Sequence, residues 1–385
     1  MRSVLFPGER RATAGIYGRT VADPTALVLE SPRTLVPRGL PRPEVTADTG
    51  LLRVEACGLC GTDHEQFTGL LPGPMPFVPG HETVGVIEEI GPAAAERWGV
   101  AEGDRVAVEV FQSCRACPAC MAGQTQRCEQ HGIADMYGFV SVDTPPGLWG
   151  GYATHQLLAA DSMVLPVPAG LDPVTATLFN PLGAGVRWGV VVPGTAEGAV
   201  VAVLGPGVRG LSAVAACRDA GAGFVMVTGA GVRDASRLEM ARRFGADLTV
   251  DVSAEDPVRA LRAATGGRLA DVVVDVTAKA PSAFGQATRL AAVGGTVVVA
   301  GTRGSEDTPG FHPDHVVYKE LRIIGALGVD TASYRAALAM LAGGRHPFDE
   351  LPRQVVGLDG LPELLALMAG ERDGVPPVHG VLVPG

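Results

Sequence analysis

Four cysteines, Cys114, Cys117, Cys120 and Cys128, fall within fifteen residues as C-x2-C-x2-C-x7-C, and this spacing constrains the chain more than anything else in it. Thiols at i, i+3 and i+6 pair poorly with one another as disulfides. They converge readily on one tetrahedral metal once a fourth thiolate folds back. Zinc accepts such a set at Zn–S distances of about 2.3 Å and keeps no open position. The expectation is a closed, structural zinc lobe at about residues 111–131. An iron–sulfur cluster fits less well, because the ferredoxin run closes as C-x3-C-P. A secreted disulfide framework suits short chains, and this one has 385 residues with seven cysteines. Reduced cysteines at metal spacing point to the cytoplasm.

The length allows two domains, each with its own core. No apolar run approaches the ~18 residues of a membrane span. A net charge of −10 argues against a nucleic-acid partner, which requires a basic face. Residues 1–25 carry four arginines and no apolar segment, so they read as an N-terminal extension rather than a signal peptide. From residue 26 to 180 short apolar runs alternate with Gly and Pro, as at 26–30, 51–56, 83–91, 104–110 and 152–158. That pattern predicts a β-rich, barrel-like domain with the zinc lobe as an excursion after the 104–110 strand.

Between 181 and 325 the rhythm changes to strands separated by Ala-rich helices, with strands expected at 199–204, 224–228, 248–252, 271–276, 296–300 and 321–325. This is α/β order, a doubly wound parallel sheet of Rossmann type. Gly221 and Gly245 fall where helices at 211–220 and 235–244 would end. Residues 326–385 return to helical periodicity and close on an apolar strand.

Gly205-Pro206-Gly207-Val208-Arg209-Gly210 is G-x-G-x-x-G, placed directly after a predicted strand and opening a helix. Gly205 makes the tight turn, Gly207 admits a pyrophosphate, and Gly210 lets helix and strand pack closely. The cofactor is therefore NAD or NADP. An NAD site usually carries an acid at the end of the second strand to hold the ribose. Here that strand ends at Gly229 with Arg233 and Arg237 nearby, which favours NADP. A second metal constellation is Cys60, His81 and Glu82. One thiolate, one imidazole and one carboxylate make an incomplete shell, as catalytic zinc requires.

Cys60-Gly61-Thr62-Asp63, Gly80-His81-Glu82, the four lobe cysteines and Gly205 to Gly210 follow one another in the order typical of zinc-dependent medium-chain alcohol dehydrogenases. From about Ala26 onward the chain resembles that family. The resemblance implies a GroES-like catalytic domain interrupted by a Rossmann coenzyme domain, with the active site in the cleft between them. It implies two zincs per chain, one catalytic and one structural, and a homodimer or homotetramer. Cys60 rather than Cys57 would be the ligand, and Thr62 would begin a proton relay. The last ligand position falls on Asn180, a neutral amide. A site of Cys60 thiolate, His81 and Glu82 carboxylate balances zinc without it.

Glu65 stands where the relay often has a histidine, and C-G-T-D-H-E resembles the glucose dehydrogenase branch, part of the polyol, sorbitol, glucose and threonine dehydrogenase group. The resemblance implies that Glu65 meets a sugar hydroxyl, with a solvent-facing Glu65 as the alternative. Arg209 replaces an apolar residue that often lies beside the nicotinamide. It would meet the pyrophosphate, an anionic substrate or solvent. The implied activity is hydride transfer between the nicotinamide and a secondary alcohol, polyol or sugar-type substrate. The alternatives are a dinucleotide-binding zinc protein with little net turnover, prompted by Asn180 and Arg209, and an epimerase working by internal redox.

Overall fold

Period-two apolar runs bury one face of a sheet against a core, and continuous apolar runs bury both. The computed structural model describes residues 23–385 apart from 72, 279 and 304–306. Of the expected N-terminal extension, residues 1–22 lie outside the described residues.

The N-terminal part opens with a two-stranded antiparallel ribbon, β1 (Thr25–Ser31) and β2 (Thr34–Gly39). The main sheet of this part uses β3 (Gly50–Leu59), β4 (Glu82–Ile90), β5 (Arg105–Val108), β6 (His155–Leu158) and β7 (Val164–Pro166). The second sheet is built from β8 (Val200–Leu204), β9 (Phe224–Gly229), β10 (Leu248–Asp251), β11 (Ala270–Asp275), β12 (Ala291–Val299) and β13 (Arg322–Gly325). The C-terminal segment adds β14 (Arg353–Val356) and β15 (His379–Leu382).

Strand order in the second sheet is β10-β9-β8-β11-β12-β13, all parallel, which is the doubly wound Rossmann order. Every residue of β8 is buried, as its uninterrupted apolar run requires of a strand covered on both faces. Val201 and Val203 face the core that holds the helix Val208–Asp219, while Val200, Ala202 and Leu204 face the opposite one. Gly221 and Gly245 follow their helices in the left-handed conformation, at φ of 85° and 106°.

The C-terminal strand β15 pairs antiparallel with β3, so the chain returns to the first sheet after completing the second. That sheet runs β14-β15-β3-β4-β5-β7, with β6 also on β3. The two parts share a core, because Val84, Ala107 and Leu165 cluster with Val201, Leu211 and Val225. The helix Phe179–Val186 lies at this junction, and a Cβ on its Gly185 would stand 2.5 Å from the backbone of Ser212.

Several elements differ from the sequence expectation; β12, for one, begins at Ala291 rather than at 296. The strand expected at 152–158 begins only at His155, because Tyr152 and Ala153 turn to the β1 ribbon, with Leu27 N–H donating to Tyr152 O at 2.8 Å. β2 contains Pro37 and is half-exposed, as befits a ribbon edge, and β14 has one polar residue and one valine on each face. Neither carries an apolar alternation from which a strand could be read.

Candidate active site

Cys60 sits where β3 ends and the helix Gly61–Thr68 begins, at the N-cap of that helix. Its N–H donates to Asp63 Oδ2 at 2.7 Å, which fixes the first turn. His81 and Glu82 enter from the start of β4, the neighbouring strand, where Glu82 stands opposite Gly58. The register therefore brings one ligand-bearing loop against the other. Cys60 Sγ lies 3.3 Å from His81 Nε2, and the ligand atoms of Cys60, His81 and Glu82 all lie within 4.8 Å of one another. All three side chains are buried.

This set fits a zinc ion. Sulfur at about 2.3 Å and nitrogen at about 2.0 Å in one tetrahedral shell stand about 3.5 Å apart, close to the separation seen. Glu82 Oε1, His81 Nδ1 and Asp63 Oδ1 are buried without a hydrogen-bond partner among the described residues. His81 Nδ1 faces Asp63 Oδ1 at 3.6 Å, the carboxylate–histidine arrangement that orients a metal-binding ring. Burial and the Cys60 sulfur push the Glu82 carboxyl up to about 8, with His81 and Arg209 opposing the rise. Burial, then Asp63, pushes the Cys60 thiol up to about 11. Two acids crowded in a dry site resist ionisation unless a cation joins them.

Thr62 and Glu65 are half-buried on the same helix, and the Thr62 hydroxyl and N–H face the Cys60 sulfur. Asn180 is buried, and its Nδ2 donates to Tyr334 Oη at 3.2 Å. Tyr334, on the helix Thr331–Gly343, is a site neighbour that no motif announces. Trp188 is another: its ring lies under the Arg209 guanidinium, with 5.2 Å from Arg209 Cζ to the ring centroid. Only their apolar surroundings in the sequence could have placed either residue, and these read as core.

The dinucleotide turn takes the expected form. Gly205 adopts φ of 101°, and a Cβ on Gly210 would stand 1.9 Å from Gly205 O. Gly207 is the N-cap of the helix Val208–Asp219, with nothing within 4 Å of an added Cβ. The turn follows β8, next to the end of β11, where the sheet order reverses, the position at which doubly wound folds take dinucleotides. Gly229, at the end of β9, has no space for a side chain, since a Cβ there would stand 2.9 Å from Asp234 Cβ and 3.0 Å from Pro206 Cγ. Asp234 Oδ2 accepts from Ala230 N–H at 2.9 Å and faces Arg237 at 3.6 Å, while Arg233 is exposed.

The lobe cysteines also converge, with Cys114, Cys117, Cys120 and Cys128 sulfurs within 4.8 Å of one another. Ser113 Oγ donates to Cys120 Sγ at 3.1 Å, and the N–H groups of Cys117, Cys120, Cys114 and Glu129 point at lobe sulfurs from 3.4 to 3.5 Å. Such donors favour thiolates. Those of Glu129 and Cys120 hold Cys117 below the ordinary thiol value.

Comparison with known proteins agrees with this layout. Residues 46–169 match the alcohol dehydrogenase GroES-like domain, and residues 209–343 match the zinc-binding dehydrogenase domain. A protein of Mycobacterium tuberculosis named a probable alcohol dehydrogenase is 67% identical over 360 residues, covering 93% of this chain and 98% of that protein. The erythritol/L-threitol dehydrogenase of Mycolicibacterium smegmatis is 29% identical, over 86% of this chain and 91% of its own. Among solved structures, one described as a zinc-binding dehydrogenase of Sinorhizobium meliloti 1021 bound to NADP superposes with a TM-score of 0.80 at 31% identity. It covers 94% of this chain and 99% of that one.

Proposed function

Because the chain belongs to the zinc-dependent alcohol dehydrogenase family, we propose that Cys60, His81 and Glu82 hold the catalytic zinc of an NAD(P)-dependent oxidoreductase. The reaction interconverts a secondary alcohol, polyol or sugar-type substrate and its carbonyl compound. The convergence of these three side chains, beside a dinucleotide turn, carries the reading. When bound, zinc supplies a Lewis acid beside the reacting oxygen and the nicotinamide supplies the hydride acceptor.

The chain's own residues do the rest. Asp63 faces the His81 ring at ion-pair distance, 3.6 Å, and Phe139, 6.2 Å from that ring, walls the site with an apolar face. The Thr62 hydroxyl can accept one proton while donating its own, so it takes the first place in a relay, with Glu65 one turn along the helix at the outer place. Asn180, its amide nitrogen engaged by Tyr334, has only its carbonyl oxygen to offer a metal. The N–H groups at Gly207 to Gly210 receive the pyrophosphate.

We assign the preference to NADP, supported by the lack of room for an acid at Gly229, the engaged Asp234 and the exposed Arg233. A second zinc belongs in the 111–131 lobe. The catalytic part spans 26–180 and 326–385, and the coenzyme part spans 181–325. A homodimer or homotetramer is supported by β13, an edge strand flanked by exposed Val293, Val317, Tyr318 and Leu327. No helix among the described residues is long and apolar enough to cross a membrane. Reduced thiols support the cytoplasm as the place of action.

The test is absorbance of the reduced cofactor, measured with zinc-loaded protein across an alcohol panel. Activity is expected in the native chain and lost in Cys60→Ser and His81→Ala. Full activity in both variants would overturn the zinc assignment.

A further inference from the structure

Arg209 is placed by its backbone on the phosphate turn, but its side chain leaves that turn. The guanidinium reaches across the cleft to the metal-binding shell, where Nη2 stands 3.9 Å from Glu82 Oε1. That is ion-pair distance and too long for a hydrogen bond. Its plane is set from beneath by Trp188, whose Nε1 donates to Gly328 O at 3.0 Å and is thereby fixed. The side chain is 30% exposed, so it lines the cleft rather than pointing out to solvent. Glu82 is its sole ion pair among the described residues.

Once the Glu82 carboxylate and the Cys60 sulfur, the two groups that face it, commit their charge to a metal, Arg209 loses both partners. Asp63 does not replace them, because its oxygens face Cys60 N–H and the His81 ring. A guanidinium in a partly dry cleft then needs a new anion. A pyrophosphate would be received by the backbone N–H groups of the turn and does not require this side chain.

We propose that the substrate is an alcohol bearing an anionic group, a carboxylate or a phosphate, and that Arg209 receives that group in the cleft beside the metal shell. This rests on the dehydrogenase reading above and adds the substrate class. A planar guanidinium meets either anion through two parallel N–H bonds, and stacking on Trp188 presents that fork to the cleft.

The experiment compares kcat/KM for matched pairs in the zinc-loaded holoenzyme: hydroxybutyrate against butanediol, and glycerol phosphate against glycerol. One acid-to-neutral ratio is expected to exceed roughly 10, and to fall toward one in Arg209→Met, with Arg209→Lys between them. Whichever pair shows the ratio identifies carboxylate or phosphate. Cofactor binding is measured in the same variants.

A second readout needs no turnover. Titration of butyrate and of inorganic phosphate should change tryptophan fluorescence saturably in the native chain, through Trp188, and not in Arg209→Met. Ratios near one in the native enzyme, or unchanged in the variant, overturn the proposal while leaving dehydrogenase activity standing. A variant that loses NADP binding with its ratio intact also overturns it, and places Arg209 with the cofactor. If no alcohol is oxidised, the dehydrogenase reading fails and the fluorescence titration alone decides on the anion site: a saturable signal lost in the variant upholds it, and its absence refutes it.

Discussion

Gly58 faces Glu82 across the β3–β4 ladder, and the site depends on its lack of a side chain. A Cβ there would stand 2.5 Å from Glu82 Oε2, 3.2 Å from Glu82 Cβ and 3.3 Å from Thr177 Cβ. Ordinary contact begins near 3.4 Å, so Gly58→Ala must drive the carboxylate about 0.9 Å away. Thr177 closes the other side, and Glu82 is buried, so the shift falls on the carboxylate itself. Overpacking of this kind costs about 1–3 kcal/mol of stability. Losing a group that merely orients a metal ligand costs about 10–100-fold in metal affinity, and displacing the ligand itself acts in the same direction.

The assay is zinc content after dialysis against a graded chelator, with urea unfolding in parallel. Gly58→Ala should lose one zinc at chelator levels the native chain withstands, and should keep the lobe zinc. Gly151→Ala is the control, since its Cβ would meet Thr83 Oγ1 at 2.3 Å and Cys57 Sγ at 2.7 Å without touching Glu82. It should destabilise the fold and keep both zincs. Native zinc affinity in Gly58→Ala would refute the argument that Glu82 reaches the metal from this position.

Cys128→Ser should release one zinc and open residues 111–131 to limited proteolysis, since structural zinc contributes about 10–16 kcal/mol of apparent binding energy in zinc-finger peptides. Native zinc content in that variant would count against the lobe assignment. His379 gives a pH dependence. Burial, then Arg353, pushes its pKa from 6.5 down to about 3, while Arg353 Nε donates to its Nδ1 at 3.0 Å and its Nε2 meets Thr177 Oγ1 at 2.9 Å. The unfolded chain therefore takes the proton first. This contribution is complete above pH 6.5 and is lost on acidification toward pH 3, at up to about 1.4 kcal/mol per pH unit. Urea unfolding across that range should show a slope that flattens in His379→Gln; an unchanged slope would rule His379 out as its source.

The architecture was legible wherever one physical rule acted alone. β8 reads as a buried parallel strand because all five of its residues are apolar and buried. Gly205 to Gly210 reads as a phosphate turn because a Cβ on Gly210 would collide with Gly205 O. Cys60, His81 and Glu82 meet because antiparallel register joins the ends of two strands, and the spacing of the motifs reflects that register. The illegible parts depend on tertiary neighbours. β14 has no periodicity, and its place is set by β15, which reaches it from the far end of the chain. Tyr334 and Trp188 sit in apolar stretches whose composition is that of core. They are core, and each also gives its one polar side-chain atom to a partner elsewhere in the chain, Asn180 for the first and Gly328 for the second.

Arg209 shows why position and role separate. Its place in G-x-G-x-x-G assigns it to the coenzyme turn, and no local rule says where a long side chain at the first turn of a helix will go. Three neighbours decide it: Trp188 beneath, and Glu82 and Cys60 across the cleft, all from other elements. The coenzyme turn and the metal shell are thus joined through one side chain whose charge the cofactor motif does not need. An apolar residue would complete the turn equally well, because the helix packs through Gly210 and the phosphates meet backbone N–H groups. The charge at Arg209 lies on the side of Glu82 and Cys60, away from the backbone N–H groups that define the coenzyme motif.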